Sequence, residues 1–186
     1  MRTKHGGPLP MKHRMTRRIA LRRLTSADAA EYRAVRLRML KDHPEAFLVS
    51  HAEGKRDSVA VYGRRLAASP VLGAFVDGKL AATVGYFRET ARKARHKVTV
   101  WGVYVAPEHR GLRLGRTLML EALRRLRRTP GVEQVRLDVG TRNRPARALY
   151  RSVGFRRLGI ERRAMKVGGR AVDEELMVLF LRSSSV

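Results

Sequence analysis

The residues with the clearest chemical potential sit in one stretch, VYVAPEHRGLRLGRTLML, residues 103–120. A strand pattern runs into a turn with Pro107, then glycines and arginines, then the start of a helix. The first turn of a helix carries N–H groups without carbonyl partners and the positive end of its dipole, so it attracts anions. Gly111 and Gly115 let an anion approach the backbone closely. Arg110, Arg113 and Arg116 add charge and forked donors around the same turn. The ligand expected there is a diphosphate or a group like it. Other chemistries find less support. The chain has no cysteine, which removes a disulfide framework, a thiolate metal site and a covalent cysteine nucleophile. His5, His13, His43, His51, His96 and His109 show neither HxH nor HExxH spacing, so no metal site is expected.

The elements that must position this turn follow from pattern. IALRRL from about residue 18 reads as a first strand. Thr25, with Asp28 three residues on, forms a capping-box signature for a helix reaching about Leu40, where His43-Pro44 stops it. A second helix is predicted over Asp57–Ala68. VLGAFVD and LAATVGYFRE read as strands joined through Asp77-Gly78, a strong hairpin signal. ETARKARHK is a polar loop. KVTVWGVYV, residues 97–105, is a strand rich in valine and aromatics. From Gly115 a helix places Leu118, Ala122, Leu123 and Leu126 on one face, with Gly131 just past its end. VEQVRLDV, the helix RPARALYRSV beginning at Asn143 or Thr141, FRRLGI and DEELMVLFLR complete the chain. The order β-α-α-β-β-β-α-β-α-β-β predicts a mixed α/β sheet containing one parallel β-α-β unit.

The 186 residues suit one domain with its own core. Residues 1–16, with Gly6, Gly7, Pro8 and Pro10, read as a basic disordered tail, and 17–186 as the single domain. No apolar run approaches the roughly 20 residues of a membrane span, and the basic N-terminus has no apolar stretch behind it to read as a secretory signal. A cytoplasmic protein without membrane contact is expected. The net charge is +25, and arginine dominates the 41 Lys and Arg residues. Such a surface attracts polyanions and steers small anions. A compositional bias toward arginine accounts for its even spread from Arg17 to Arg182. The run Arg124, Arg125, Arg127, Arg128 complements the negative end of its own helix.

With these blocks in place, the sequence resembles the GCN5-related N-acetyltransferase (GNAT) superfamily. Its coenzyme A signature is Gln or Arg, two residues, Gly, one residue, then Gly or Ala. Arg110 fills the first position and Gly115 the last, while Arg113 replaces the middle glycine. That replacement keeps a backbone N–H in place provided φ at residue 113 is negative. WGVYVAPEHRG and RLDVGTRNRPARALYRSVGF match neighbouring blocks of the family in the right order, and VGGRAVDEELMVLFL resembles the tail of many bacterial members. The resemblance covers about residues 18–183. It implies the GNAT fold: a mixed central sheet of about seven strands with about four helices and a splay between the fourth and fifth strands, where acetyl-CoA sits as co-substrate. It puts Val103 and Val105 on the pantetheine arm and acetyl carbonyl, the backbone of Arg110, Gly111, Leu112, Arg113, Gly115 and Arg116 on the pyrophosphate, and Asn143 on the arm. Asn143 also reads as a plain helix N-cap, and the two roles can coexist.

The resemblance gives Tyr150 the role of the phenol that protonates the departing coenzyme A thiolate. Without it, a tyrosine beside Leu149 on an amphipathic helix reads as core. In ribosomal-protein alanine acetyltransferases a glutamate matches Asp138 and is assigned as the base. Alternation places Arg136 and Asp138 on one face of their strand and Val135, Leu137 and Val139 on the other. A free aspartate near 3.9 is a poor match for an ammonium at about 8 to 10, so a raised pKa or a water relay is required. The competing reading pairs Asp138 with an arginine, and Glu89 and Glu45 are other candidates. The expected function is direct acetyl transfer to an amine of a small molecule, peptide or protein in a ternary complex, without metal; a homodimer is compatible with it. The alternatives are a nucleic-acid-binding protein, which lacks a basic-aromatic stacking platform, and a non-catalytic coenzyme A-binding domain.

Overall fold

The computed structural model describes residues 17–181; the basic arm over residues 1–16 lies outside them. Seven strands form one sheet: β1 (Ile19–Arg23), β2 (Val71–Val76), β3 (Lys79–Arg88), β4 (Lys97–Val105), β5 (Gln134–Gly140), β6 (Arg156–Val167) and β7 (Arg170–Phe180), in the order β1-β2-β3-β4-β5-β7-β6. Five helices accompany them: α1 (Ala29–Asp42), α2 (His51–Arg56), α3 (Val59–Ala68), α4 (Leu114–Arg127) and α5 (Arg144–Ser152). Neighbouring strands are antiparallel except for β4 and β5, which run parallel on either side of α4.

Local chemistry accounts for the boundaries. Thr25 and Asp28 form the expected capping box, although it closes a 3-10 turn that leads into α1. The β2–β3 hairpin turns at Asp77 and Gly78, both with positive φ (50° and 84°), as a two-residue turn requires. Short α2 is an addition to the expected order; Ser50 caps it by accepting from the Glu53 N–H, and Glu53 accepts from Ser50 in return. β6 and β7 extend beyond their apolar segments because Gly168 and Gly169, at φ 55° and 78°, join them as a hairpin.

Two apolar layers cover the sheet. On one face Leu118, Met119, Ala122, Leu123 and Leu126 of α4 are buried against Leu72, Val84, Val98, Val135 and Leu137. On the other, Tyr32 of α1 and Tyr62 and Leu66 of α3 pack over Leu24, Val71, Phe75 and Leu80.

The feature that matters for function is a parting in the sheet. β4 and β5 pair only over Lys97–Thr99 and Gln134–Arg136. Beyond them the strands diverge. The cause lies in β4, where Tyr104 pairs with Thr83 and Trp101 with Gly85, so β4 carries one residue more than β3 across this step. The extra residue falls at Gly102, whose φ is 61°. Such a bulge bends the strand and increases its twist, turning residues 103–105 away from β5.

Candidate active site

The turn after β4 is built as an anion cradle. Pro107–His109 forms a 3-10 turn, and Gly111 (φ 82°) reverses the chain with open space where a Cβ would sit. α4 then begins, and the Thr117 N–H donates to the Arg113 carbonyl at 3.0 Å. The N–H groups of residues 113–116 therefore precede the first closed helical turn and have no intrahelical partner. Gly115 is closely packed: a Cβ there would lie 3.3 Å from Val105 Cγ2 and from Leu149 Cδ2, so either side chain would have to shift by a few tenths of an ångström. It lets the first turn of α4 settle onto β4 and α5. Leu112 packs against the core below.

Arg113 corrects an expectation. Its φ is 57° and its ψ 17°, in the left-handed region, so the negative φ required of a non-glycine residue is not met. The chain keeps the conformation that suits the motif's glycine and places an arginine in it, at the order of 1 kcal/mol that this region costs an L-residue. The side chain is exposed, as is that of Arg116.

A cavity of about 880 Å³ opens at the parting of the sheet. Val103, Val105, Arg110, Asn143 and Tyr150 all line it, as do His43, Glu45 and Phe47 from the segment after α1. Gly111, Leu112, Arg113, Gly115 and Arg116 stand outside its wall, on the adjoining turn. Asn143 caps α5, its Oδ1 accepting from the Ala146 N–H at 3.2 Å. This is the plain N-cap role, and the side chain still borders the cavity. Tyr150 is buried and packs against Phe155, their ring centres 6.2 Å apart. Burial raises its phenol pKa above the ordinary tyrosine value, so the hydroxyl keeps its proton at neutral pH.

Asp138 does not line this cavity. It is exposed, on the face of β5 that alternation gives also to Arg136 and to Gly140 at the cavity wall, while Val135, Leu137 and Val139 are buried. No ion pair reaches it among the described residues; Arg136 lies instead 3.8 Å from Glu89. Burial raises the pKa of Asp138, Arg136 opposes the shift, and Glu161 adds to it. Glu174 is raised in the same way, by burial and then by Asp138 and Glu161. Three carboxylates thus share one face across β5, β7 and β6. Glu89 accepts from the Thr99 hydroxyl at 3.2 Å, at the paired end of β4 and β5, away from the cavity.

Two parts of the site were missed from sequence. His43 read only as a helix stop. It lines the cavity with its ring 6.3 Å from that of Tyr104, and Arg110 meets its Nε2 at 3.1 Å. The other is the support of α5. Glu175 is fully buried on β7, meets Arg147 Nε at 2.6 Å and Arg151 Nη2 at 3.1 Å, and so ties β7 to α5. The signal was available: one acid in the inward set with Met177 and Leu179, opposite arginines four residues apart on a helix.

A parted pair of strands ending in a turn of free backbone donors fits a long co-substrate with amide groups along its arm and phosphates at one end. The Acetyltransferase (GNAT) family profile matches residues 30–155, and the chain belongs to that family. It is an acyltransferase whose co-substrate is acetyl-CoA. It is 38% identical over 112 residues to the N-alpha-acetyltransferase RimI of Mycobacterium tuberculosis (strain ATCC 25618 / H37Rv), covering 59% of this chain and 68% of that protein. An acetyltransferase of the GNAT family from Streptococcus pneumoniae superposes with a TM-score of 0.82 at 22% identity, over 89% of this chain and all of that one. The Salmonella typhimurium protein yncA, solved with its cofactor acetyl-CoA, superposes at 0.74 with 24% identity, over 91% and 97%. Among the described residues there is no helix long and apolar enough to cross a membrane, and no cluster of three potential metal ligands.

Proposed function

We propose that this enzyme transfers the acetyl group directly to the α-amino group at the N-terminus of a peptide or protein, in a ternary complex. The observation that carries the reading is the 38% identity with an N-alpha-acetyltransferase over 112 residues. Bound acetyl-CoA supplies a thioester carbonyl. The residues of this chain do the rest. The backbone of Val103 and Val105 holds the arm, and a backbone N–H near Val105 faces the carbonyl oxygen and stabilises negative charge there. The open N–H groups of residues 113–116 and the Arg110 guanidinium take the phosphates. Tyr150 holds a proton at Oη for the departing sulfur. Asp138, outside the cavity lining but on the Gly140 face of β5, accepts the proton of the acceptor ammonium through a water. Its raised pKa narrows the mismatch, and an α-ammonium at about 8 gives up its proton more readily than a lysine at about 10.4. The lack of cysteine excludes a cysteinyl-acyl intermediate.

Mass spectrometry tests the acceptor. Peptides with a free N-terminus and an internal lysine should gain the acetyl group on the α-nitrogen. Acetylation of lysine alone, or no turnover with any amine, would refute the proposal. Arg110→Glu should weaken acetyl-CoA binding by at least about 10-fold in calorimetry, because it reverses the charge at the phosphate turn. Wild-type heats from that variant would remove Arg110 from the site.

Asp138→Asn tests the base. The folded state favours the protonated form of Asp138, so its ionisation opposes folding at neutral pH, and this penalty is relieved as pH falls through the raised pKa. The variant should therefore melt slightly higher than wild type at pH 7 while losing roughly 10²-fold in kcat, with the acid limb of the kcat/KM profile changed. An unchanged pH profile with full turnover would assign the proton to another group.

A further inference from the structure

On the face of the sheet opposite α4, a second cavity of about 350 Å³ opens between α1, α3, β3 and β4. It shares no lining residue with the active-site cavity. Phe47 separates the two, lining the larger cavity while its ring lies 5.2 Å from the guanidinium carbon of Arg36 in the smaller. The walls of the second cavity include Tyr32, Tyr62, Leu66, Phe87 and Trp101. Its floor is preformed. The Trp101 ring lies flat against Gly85, where a Cβ would stand 2.5 Å from Cε2.

Arg36 is the cation lining this cavity that has no ion-pair partner among the described residues. Its guanidinium lies 5.7 Å from the centre of the Trp101 ring, and Nη1 donates to the Met39 sulfur at 3.2 Å. A thioether is a weak acceptor for one of five N–H donors. Among the described residues no carboxylate stands within ion-pair distance of Arg36. The neighbouring cation, Arg65, is already met by Asp57 at 2.6 Å. Burial pushes the Arg36 pKa down. Ring faces attract a guanidinium but accept none of its in-plane hydrogen bonds.

We propose that this cavity binds a small aromatic monocarboxylate, its carboxylate on Arg36 and its ring between Trp101 and the tyrosines. One cation without a partner calls for one negative charge. A planar carboxylate matches the guanidinium fork, and aromatic walls favour a flat apolar body over a hydrated phosphate. The volume lies at the small end of the range for ligand cavities.

Trp101 is the single tryptophan of the chain, so its fluorescence reports on the cavity directly. The full chain is titrated with 3-phenylpropionate and with the uncharged 3-phenylpropionamide. The acid should give a saturable change in emission, and the amide should bind at least about 10-fold more weakly. Arg36→Met should bring the acid down to the affinity of the amide, and Arg36→Lys, which keeps charge without the fork, should fall between. Thermal melting establishes that each variant is folded. The comparison of acid with amide in the wild-type chain stands even if a variant does not fold. No saturable change with the acid, equal affinity for acid and amide, or undiminished acid binding in folded Arg36→Met would each overturn the proposal. So would loss of the signal on saturation with acetyl-CoA, which would place the acid in the active site.

Discussion

Tyr150→Phe is expected to lower kcat by about 10²-fold or more, within the range for a general acid, and to leave the KM for acetyl-CoA nearly unchanged. The ring is buried against Phe155 and borders the cavity, so phenylalanine keeps its packing. The hydroxyl makes no hydrogen bond to a described residue, so its removal leaves no internal partner stranded. Melting temperature should then stay close to wild type. Because burial holds the phenol protonated, Tyr150 should add no alkaline limb to kcat below about pH 10. Steady-state kinetics with thermal melting separate the roles. A full-rate variant would make Tyr150 a wall of the cavity only.

The second large effect is expected at Glu175. Its carboxylate is completely buried and holds Arg147 and Arg151 of α5. Arg147 is also tied to the Thr141 carbonyl at 3.0 Å, so it cannot swing freely into water. Glu175→Ala should strand that guanidinium and destabilise the fold by about 3–5 kcal/mol, lowering Tm by roughly 6–20 °C for a chain of this size. Glu175→Gln keeps the shape and one acceptor and should lose less. Asn143 and Tyr150 ride on α5, so both variants should also lower kcat. Calorimetric melting with kinetics checks this. An unaltered Tm in Glu175→Ala would show that α5 is held by packing alone.

How far the sequence speaks depends on the range of the interaction. The β2–β3 hairpin was legible because Asp77-Gly78 dictates its own turn. The α4 stripe was legible because Leu118, Ala122 and Leu126 repeat at helical spacing. The sheet alternation around Asp138 could be read the same way, whereas the Glu161 and Glu174 neighbours that raise its pKa could not, since they come from strands more than twenty residues on. α2 was missed because six residues give too little periodicity, although Ser50 and Glu53 spelled its cap. The backbone at Arg113 was not legible, because residue type argues against a left-handed φ and the turn from Gly111 into α4 overrides it. His43 and Arg36 carry no local signal; each gains its meaning from side chains that only the fold brings near.

The three-residue seam between β4 and β5 gives the sheet a mechanical character of its own. β1–β4 form one plate and β5, β7 and β6 another, joined directly over Lys97–Thr99 and Gln134–Arg136 and otherwise through α4 and its core. Amide hydrogens lining the gap lack cross-strand partners there and should exchange with solvent faster than those inside either plate. A ligand that bridges the gap acts as a splint between the plates. Its binding free energy adds to the folding free energy, so the equilibrium stability of the folded enzyme should rise with the supply of its own acyl donor.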